Sequence, residues 1–246
     1  MWYNTLLVAQ AAAASSHHAA AELYEDLYAH HGYHSDLKLT HAAGIWPIVV
    51  AEHKKNPFTR GILDVGCSHG KVVEKLWHNQ INAFGVDISP TAVKMADAAR
   101  NSSRIPRRCG GQPCFQAASA TRLPFDTASV DVIISSDVLE HLTPVDVPTV
   151  VREFGRVARR FLLLQISTQK ENARWYMNMQ HKAGEFLDVK DLHATTWPLE
   201  LWGRHFALLG NVSFVKTYNV LLGTRQKLLR VDMVPFKSKY RRIAYV

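Results

Sequence analysis

Between residues 60 and 168, apolar runs of strand length alternate with segments whose apolar residues recur at helical spacing. "GILDVG" (61–66) reads as a short strand, and "KVVEKLWHNQ" (71–80) as a helix with Val72, Val73, Leu76 and Trp77 on one side. A second strand, "NAFGVDIS" (82–89), leads into "SPTAVKMADAARN" (89–101), where Ser89 suits an N-cap and Pro90 the first helical position. "CFQAASA" (114–120) is a third strand and "VDVIISS" (130–136) a fourth. "VPTVVREFGRVARR" (147–160) then reads as a helix and "FLLLQIS" (161–167) as a buried strand. Such alternation predicts βαβ units, hence a parallel sheet covered by helices on both faces.

Outside this stretch the pattern changes. "HAAGIWPIVVAEHKKN" (41–56) predicts a helix starting near Pro47, and "PLELWGRHFALLG" (198–210) one ended by Gly210. "VSFVKTYNVLL" and "KLLRVDMVPF" flank "GTRQ" and predict a C-terminal hairpin. Residues 1–20 are low in complexity and are expected to be disordered or loosely helical, leaving 21–246 as one domain with an N-terminal lid or helical extension. No apolar window is long enough to cross a membrane. With no Arg or Lys before Lys38, the N-terminus fits neither a signal nor a transit peptide.

The glycine turn narrows the chemistry. In "LDVGCSHG" (63–70), Gly66 and Gly70 let a backbone turn approach a ligand at a helix N-terminus. Asp87, at the end of the next strand, stands where an acid accepts hydrogen bonds from ribose hydroxyls. A dinucleotide loop has glycines two and then three residues apart, whereas Ser68 and Lys71 occupy those places, and no GK[ST] run makes a P-loop.

Four motifs in order, "LDVGCSHG", "GVDISPTAV", "ATRLPF" and "VDVIISSDVLEHL", resemble the class I S-adenosylmethionine-dependent methyltransferases over residues 60–168. The resemblance implies a Rossmann-like α/β fold, with a seven-stranded, mostly parallel sheet ending in an antiparallel hairpin. It implies that Asp64, Gly66, Cys67, Ser68 and Gly70 cradle the methionine portion, that Asp87 holds the ribose and that Ile88 packs on adenine. Ser119, Ala120 and Ser136 complete the expected cofactor set. Ser119 departs from the pattern, since an Asp usually stands four residues before the Leu of "LPF"; a hydroxyl is the weaker acceptor. The usual Lys-Pro-Gly-Gly turn before "FLLLQIS" is also missing.

"SSDVLEHL" crowds Asp137, Glu140 and His141 onto one face if the segment is helical. Three readings compete. The trio is a helix start with favourably placed acids, or His141 is a general base assisted by Glu140, or the group binds a divalent metal such as Mg, Mn or Zn. The third reading is similar to the metal-assisted O-methyltransferases of ubiquinone biosynthesis and of small-RNA 3′ ends, in which a downstream His completes an acid-x-x-Glu-His run. That residue would be His193 in "DLHATTWPLELW". Tyr24, Tyr28, Tyr33 and His34 suit a lid over the site.

Charge and cysteine content add partners and setting. The net charge is +8, and from Arg204 onward nine Lys or Arg face only Asp232. A small-molecule acceptor is the leading expectation, with RNA 2′-hydroxyls the alternative that this basic region suggests. A methyltransferase-like scaffold without activity is the rival class, supported by Ser119 alone. Three cysteines make no disulfide framework and point to a reducing setting, the cytoplasm by default. There Cys109 and Cys114, though close enough to close a small loop, are expected as thiols.

Overall fold

A computed structural model describes residues 19–30, 44–101, 104–169, 192–218, 226–234 and 244–245. Tyr33, His34 and residues 1–18 lie outside the described residues. Residues 19–20 are helical, at the start of helix α1 over 19–30.

The further helices are α2 (Trp46–Lys55), α3 (Lys71–His78), α4 (Pro90–Asn101), α5 (Val147–Val157) and α6 (Leu199–Ala207). The strands are β1 (Ile62–Val65), β2 (Ala83–Asp87), β3 (Phe115–Ala117), β4 (Val130–Ser136), β5 (Ala158–Ser167), β6 (Val212–Tyr218), β7 (Gln226–Met233) and β8 (Ala244–Tyr245). They form one sheet in the order β3-β2-β1-β4-β5-β7-β6-β8. The first five are parallel, β7 runs antiparallel to β5 and β6, and the short β8 pairs with β6 in parallel. The described residues thus hold eight strands where seven were expected; the C-terminal hairpin is present as β6 and β7.

β1, β2 and β4 are buried along their whole length, as parallel strands covered on both faces must be. The chain leaves β1 through β2 to β3 and then returns to β4 on the other side of β1. Right-handed crossovers put the helices of these two halves on opposite faces. The reversal opens a crevice at the carboxyl ends of β1 and β4, where ligands of such sheets bind.

The far end of the sheet is fastened. Asp131, fully buried, accepts hydrogen bonds from the Arg159 guanidinium at 2.5 and 3.0 Å and from the Arg60 amide at 2.7 Å. Arg159 and Arg160 were expected in a helix and are strand residues instead, because α5 stops at Val157 and β5 starts at once. The third strand is also shorter than expected, ending at Ala117. Cys109 and Cys114 form a disulfide with Cα atoms 5.2 Å apart, contrary to the expected thiols. Gly110 and Gly111, both with positive φ, turn the chain tightly enough to bring them together. Cys67 is a buried free thiol.

Among the described residues no helix is long and apolar enough to cross a membrane. Of the basic C-terminal residues, Arg230 is engaged internally: it pairs with Asp232 at 2.9 Å and Glu52 at 3.7 Å and lies over the Phe161 ring. Arg225, Lys237, Lys239, Arg241 and Arg242 lie outside the described residues.

Candidate cofactor and acceptor site

The turn after β1 is built by left-handed backbone at three positions, Gly66 (φ 75°), Ser68 (φ 50°) and Gly70 (φ 68°). Two of these cannot carry a side chain. A Cβ on Gly66 would lie 2.2 Å from Val138 Cγ2, and one on Gly70 2.5 Å from Phe115 Cζ. The turn is therefore wedged between the chain leaving β4 and the ring that begins β3. Its amides at Gly66 and Cys67 donate to Val86 O at 2.8 and 2.9 Å, which pins it to the end of β2.

Ser68 is the non-glycine in this turn, and its strained backbone is held from two sides. Its amide donates to Asp87 Oδ2 at 2.8 Å, and its hydroxyl accepts from Tyr28 at 2.8 Å. The other oxygen of Asp87 accepts from the Ser89 amide at 3.1 Å. With an amide on each oxygen, the carboxylate is fixed in place at the end of β2. Ser89 caps α4, accepting the Ala92 amide at 3.1 Å. Asp64, at the end of β1, is buried beside this turn.

Ile88 follows Asp87 and is half-buried. The Ala118 amide donates to Asp87 O at 2.8 Å, so Ser119 and Ala120 leave β3 beside the β2 end. The Ser119 hydroxyl is already used locally: it accepts the Thr121 amide at 3.2 Å and lies 2.8 Å from Thr121 Oγ1. The cofactor-side residues foreseen from sequence thus sit together at the carboxyl ends of β1, β2 and β3.

Beyond β4 the structure departs from expectation. Asp137 is left-handed (φ 54°), Leu139–His141 form a single 3₁₀ turn, and an α-helix begins only at Val147. The three polar residues do not share a helix face, and the reading as an α-helix start loses its basis. Ser136, buried at the strand end, donates to Asp137 Oδ2 at 3.1 Å.

What gathers the cluster is a second segment stitched across the first. Leu192 O is bonded to His141 Nδ1 at 2.9 Å, the Thr195 amide donates to Glu140 O at 2.9 Å, and Thr195 Oγ1 donates to Leu142 O at 2.5 Å. This brings His193 to His141 with ring centroids 4.8 Å apart, edge to face. One ligand atom each from Glu140, His141 and His193 lies within 4.8 Å of the others; Asp137 is not part of that group.

Each imidazole has its Nδ1 against a carbonyl, His141 on Leu192 O and His193 on Gln169 O at 2.8 Å. A carbonyl only accepts, so both Nδ1 atoms carry a proton, which leaves Nε2 as the nitrogen that can take up or give a proton. Glu140 is fully buried; Oε1 accepts the Ser167 amide at 2.9 Å, and Oε2 has no hydrogen-bond partner among the described residues. Burial, together with the neighbouring charge of Asp137, pushes the Glu140 carboxyl well above its ordinary pKa. Sequence reasoning had no signal for Ser167, Leu192 or Thr195, since all three act through backbone atoms.

A family model described as a methyltransferase domain matches residues 63–161. A probable S-adenosylmethionine-dependent methyltransferase of Mycobacterium tuberculosis is 36% identical over 109 residues, covering 44% of this chain and 35% of that protein. The 27-O-demethylrifamycin SV methyltransferase of Amycolatopsis mediterranei is 27% identical over 155 residues, covering 57% and 52%. The chain thus spans about half, or less, of the length of these curated relatives. Among solved structures, the magnesium protoporphyrin IX methyltransferase of Synechocystis PCC 6803 shares the fold with a TM-score of 0.55, at 16% identity over 80% of this chain and 82% of that one. The matched residues 63–161 begin in β1 and end in β5, spanning the glycine turn, Asp87 and the 137–141 turn, and over that stretch the chain carries a methyltransferase domain of the class I S-adenosylmethionine-dependent kind.

Proposed function

We propose that this chain transfers a methyl group from S-adenosylmethionine to a hydroxyl of a small molecule, with the acceptor beside His141. The observation that carries this reading is the Glu140, His141 and His193 group, gathered at the carboxyl end of β4 and tied to the glycine turn through Val138 against Gly66. A relative named for a small-molecule acceptor, 27-O-demethylrifamycin SV, supports the same class of acceptor.

When bound, S-adenosylmethionine supplies a sulfonium methyl already activated for in-line displacement by an oxygen. The chain's part is to orient and to move one proton. Asp87, fixed by the Ser68 and Ser89 amides, would hold the ribose, while Asp64 and the 66–70 turn would hold the amino-acid end. His141 Nε2, whose lone pair is set by the Nδ1 contact, would take the acceptor's hydroxyl proton as its oxygen bonds to the methyl. The Leu192 carbonyl then stabilises the resulting imidazolium through Nδ1.

One observation favours a second reading of the same atoms. One ligand atom each from Glu140, His141 and His193 lies within 4.8 Å of the others, and with Glu140 Oε2 buried and without a hydrogen-bond partner among the described residues they make a three-ligand set for a divalent cation. Both imidazoles also give their other nitrogen to a backbone carbonyl, as metal-bound histidines do. A cation there would supply Lewis-acid polarisation of the acceptor hydroxyl, in place of His141 as base.

Label transfer from methyl-labelled S-adenosylmethionine into pools of hydroxylated small molecules, and separately into RNA, tests the function. Label in a methyl ether of a small molecule supports the reading. Label in RNA alone, weakening steeply with salt, replaces it with the RNA alternative. Cofactor binding without transfer to either pool leaves the scaffold. Retained activity in chelator decides against the metal.

A further inference from the structure

Helix α1 touches all three turns that build the site. Tyr28 donates to Ser68 Oγ in the turn after β1. Glu25 bonds the turn after β2: its Oε2 accepts from Ser89 Oγ at 2.6 Å and from the Thr91 amide at 3.0 Å, and its Oε1 from Thr91 Oγ1 at 2.5 Å. Tyr24 meets the turn after β4, its ring edge to face with His141 at 5.9 Å. The cofactor-side residues are nearly closed to water, with Cys67 1%, Ser68 2%, Asp64 2% and Asp87 6% exposed.

The three contacts differ in kind. Leu27 and Tyr28 are buried and anchor the helix by packing, which is slow to give up. Glu25 is only partly buried, and its carboxylate sits at the N-terminus of α4, where a negative charge is favoured by the helix dipole. Burial pushes this carboxyl up, but the hydrogen bonds from Ser89 and Thr91 outweigh it and hold it below its ordinary pKa. Such a contact can break and reform in water without exposing core. It also lands on Ser89, whose amide fixes Asp87, so the hold on the helix and the hold on the ribose share one residue.

From this geometry we infer that α1 is a cover over the cofactor cleft and that Glu25 is its latch, a positioning residue that sets how fast cofactor enters and leaves. The inference rests on the cofactor reading above. Tyr24 rides on the same helix, so closing the latch also completes the wall facing His141.

The test loads the full chain with labelled S-adenosylmethionine and follows release after an excess of unlabelled S-adenosylhomocysteine. Glu25→Ala is expected to release label about ten-fold faster and to bind it faster too, so that affinity changes much less than either rate. Thr91→Val, which removes one of the three hydrogen bonds and leaves the Ala92 cap on Ser89, is expected to give about a three-fold acceleration. It serves also where Glu25→Ala does not fold. A residue that merely stabilises the fold would weaken affinity without speeding association. Equal release rates in folded variants and wild type overturn the latch alone; a wild-type chain that takes up no label overturns the cofactor reading with it.

Discussion

Asp87 and Glu140 are both buried carboxyl groups at strand ends of the same crevice, and their surroundings are opposite. Asp87 receives one backbone amide on each oxygen, which makes it a finished anion aimed at a ligand that donates hydrogen bonds. Glu140 receives one amide, and its burial together with the neighbouring Asp137 pushes its carboxyl well above its ordinary pKa. The first is complete as a binding group before any ligand arrives. The second is one whose anion a positive charge would favour. The cofactor side is thus built from main-chain geometry, and the acceptor side from side chains awaiting a partner.

The sharpest way to break the comparison is at the glycine that joins the two sides. Gly66→Ala must accept a left-handed backbone and a clash with Val138, which together cost about 2–4 kcal/mol of stability. A urea melt should show it, and a loss below about 1 kcal/mol would mean that the turn is not wedged as described. Next in size, Asp87→Ala should weaken S-adenosylmethionine by roughly 1.5–3 kcal/mol, as expected for losing hydrogen bonds to a charged acceptor. Unchanged affinity in a folded variant would remove the ribose assignment.

Glu140→Gln tests the other side. Its folded pKa lies above the ordinary 4.5, so the folded protein binds this proton more tightly than the unfolded chain does. The penalty for burying the charged form is absent below pH 4.5 and grows as pH rises towards the raised folded value. Glutamine carries no proton to lose and can still accept from Ser167. In chelator the variant should therefore gain on wild type across that window, by up to about 1.4 kcal/mol per pH unit. Parallel stability curves would contradict the raised pKa of the buried Glu140. The smallest effect belongs to Ser119→Asp, which should tighten cofactor binding by less than about 1 kcal/mol or leave it equal, since the present hydroxyl is committed to Thr121. A clear loss would put the adenine elsewhere.

The cofactor side was legible because local rules govern it. Strand periodicity, the glycine spacing of 66–70, the Ser89-Pro90 helix start and Asp87 at a strand end each act within a few residues. The 137–141 segment was misread as a helix because i, i+3 and i+4 spacing is all a sequence shows, whereas a left-handed Asp137 breaks that geometry. His193 was foreseen through resemblance alone. The bonds that carry it to His141 run through Leu192 O and the Thr195 backbone amide, which every residue type offers alike. Glu25 was invisible for a related reason: an acid on an amphipathic helix carries no mark of the helix end, 64 residues away, that it will cap.

The central claim is that the crevice between β1 and β4 holds S-adenosylmethionine. Titration calorimetry of the wild-type chain with S-adenosylhomocysteine, the demethylated product, asks this most directly and needs no acceptor. The account predicts saturable heat at one site per chain. No saturable heat up to about millimolar ligand, where a Kd of that order still yields about 4 kcal/mol of binding free energy, would contradict it.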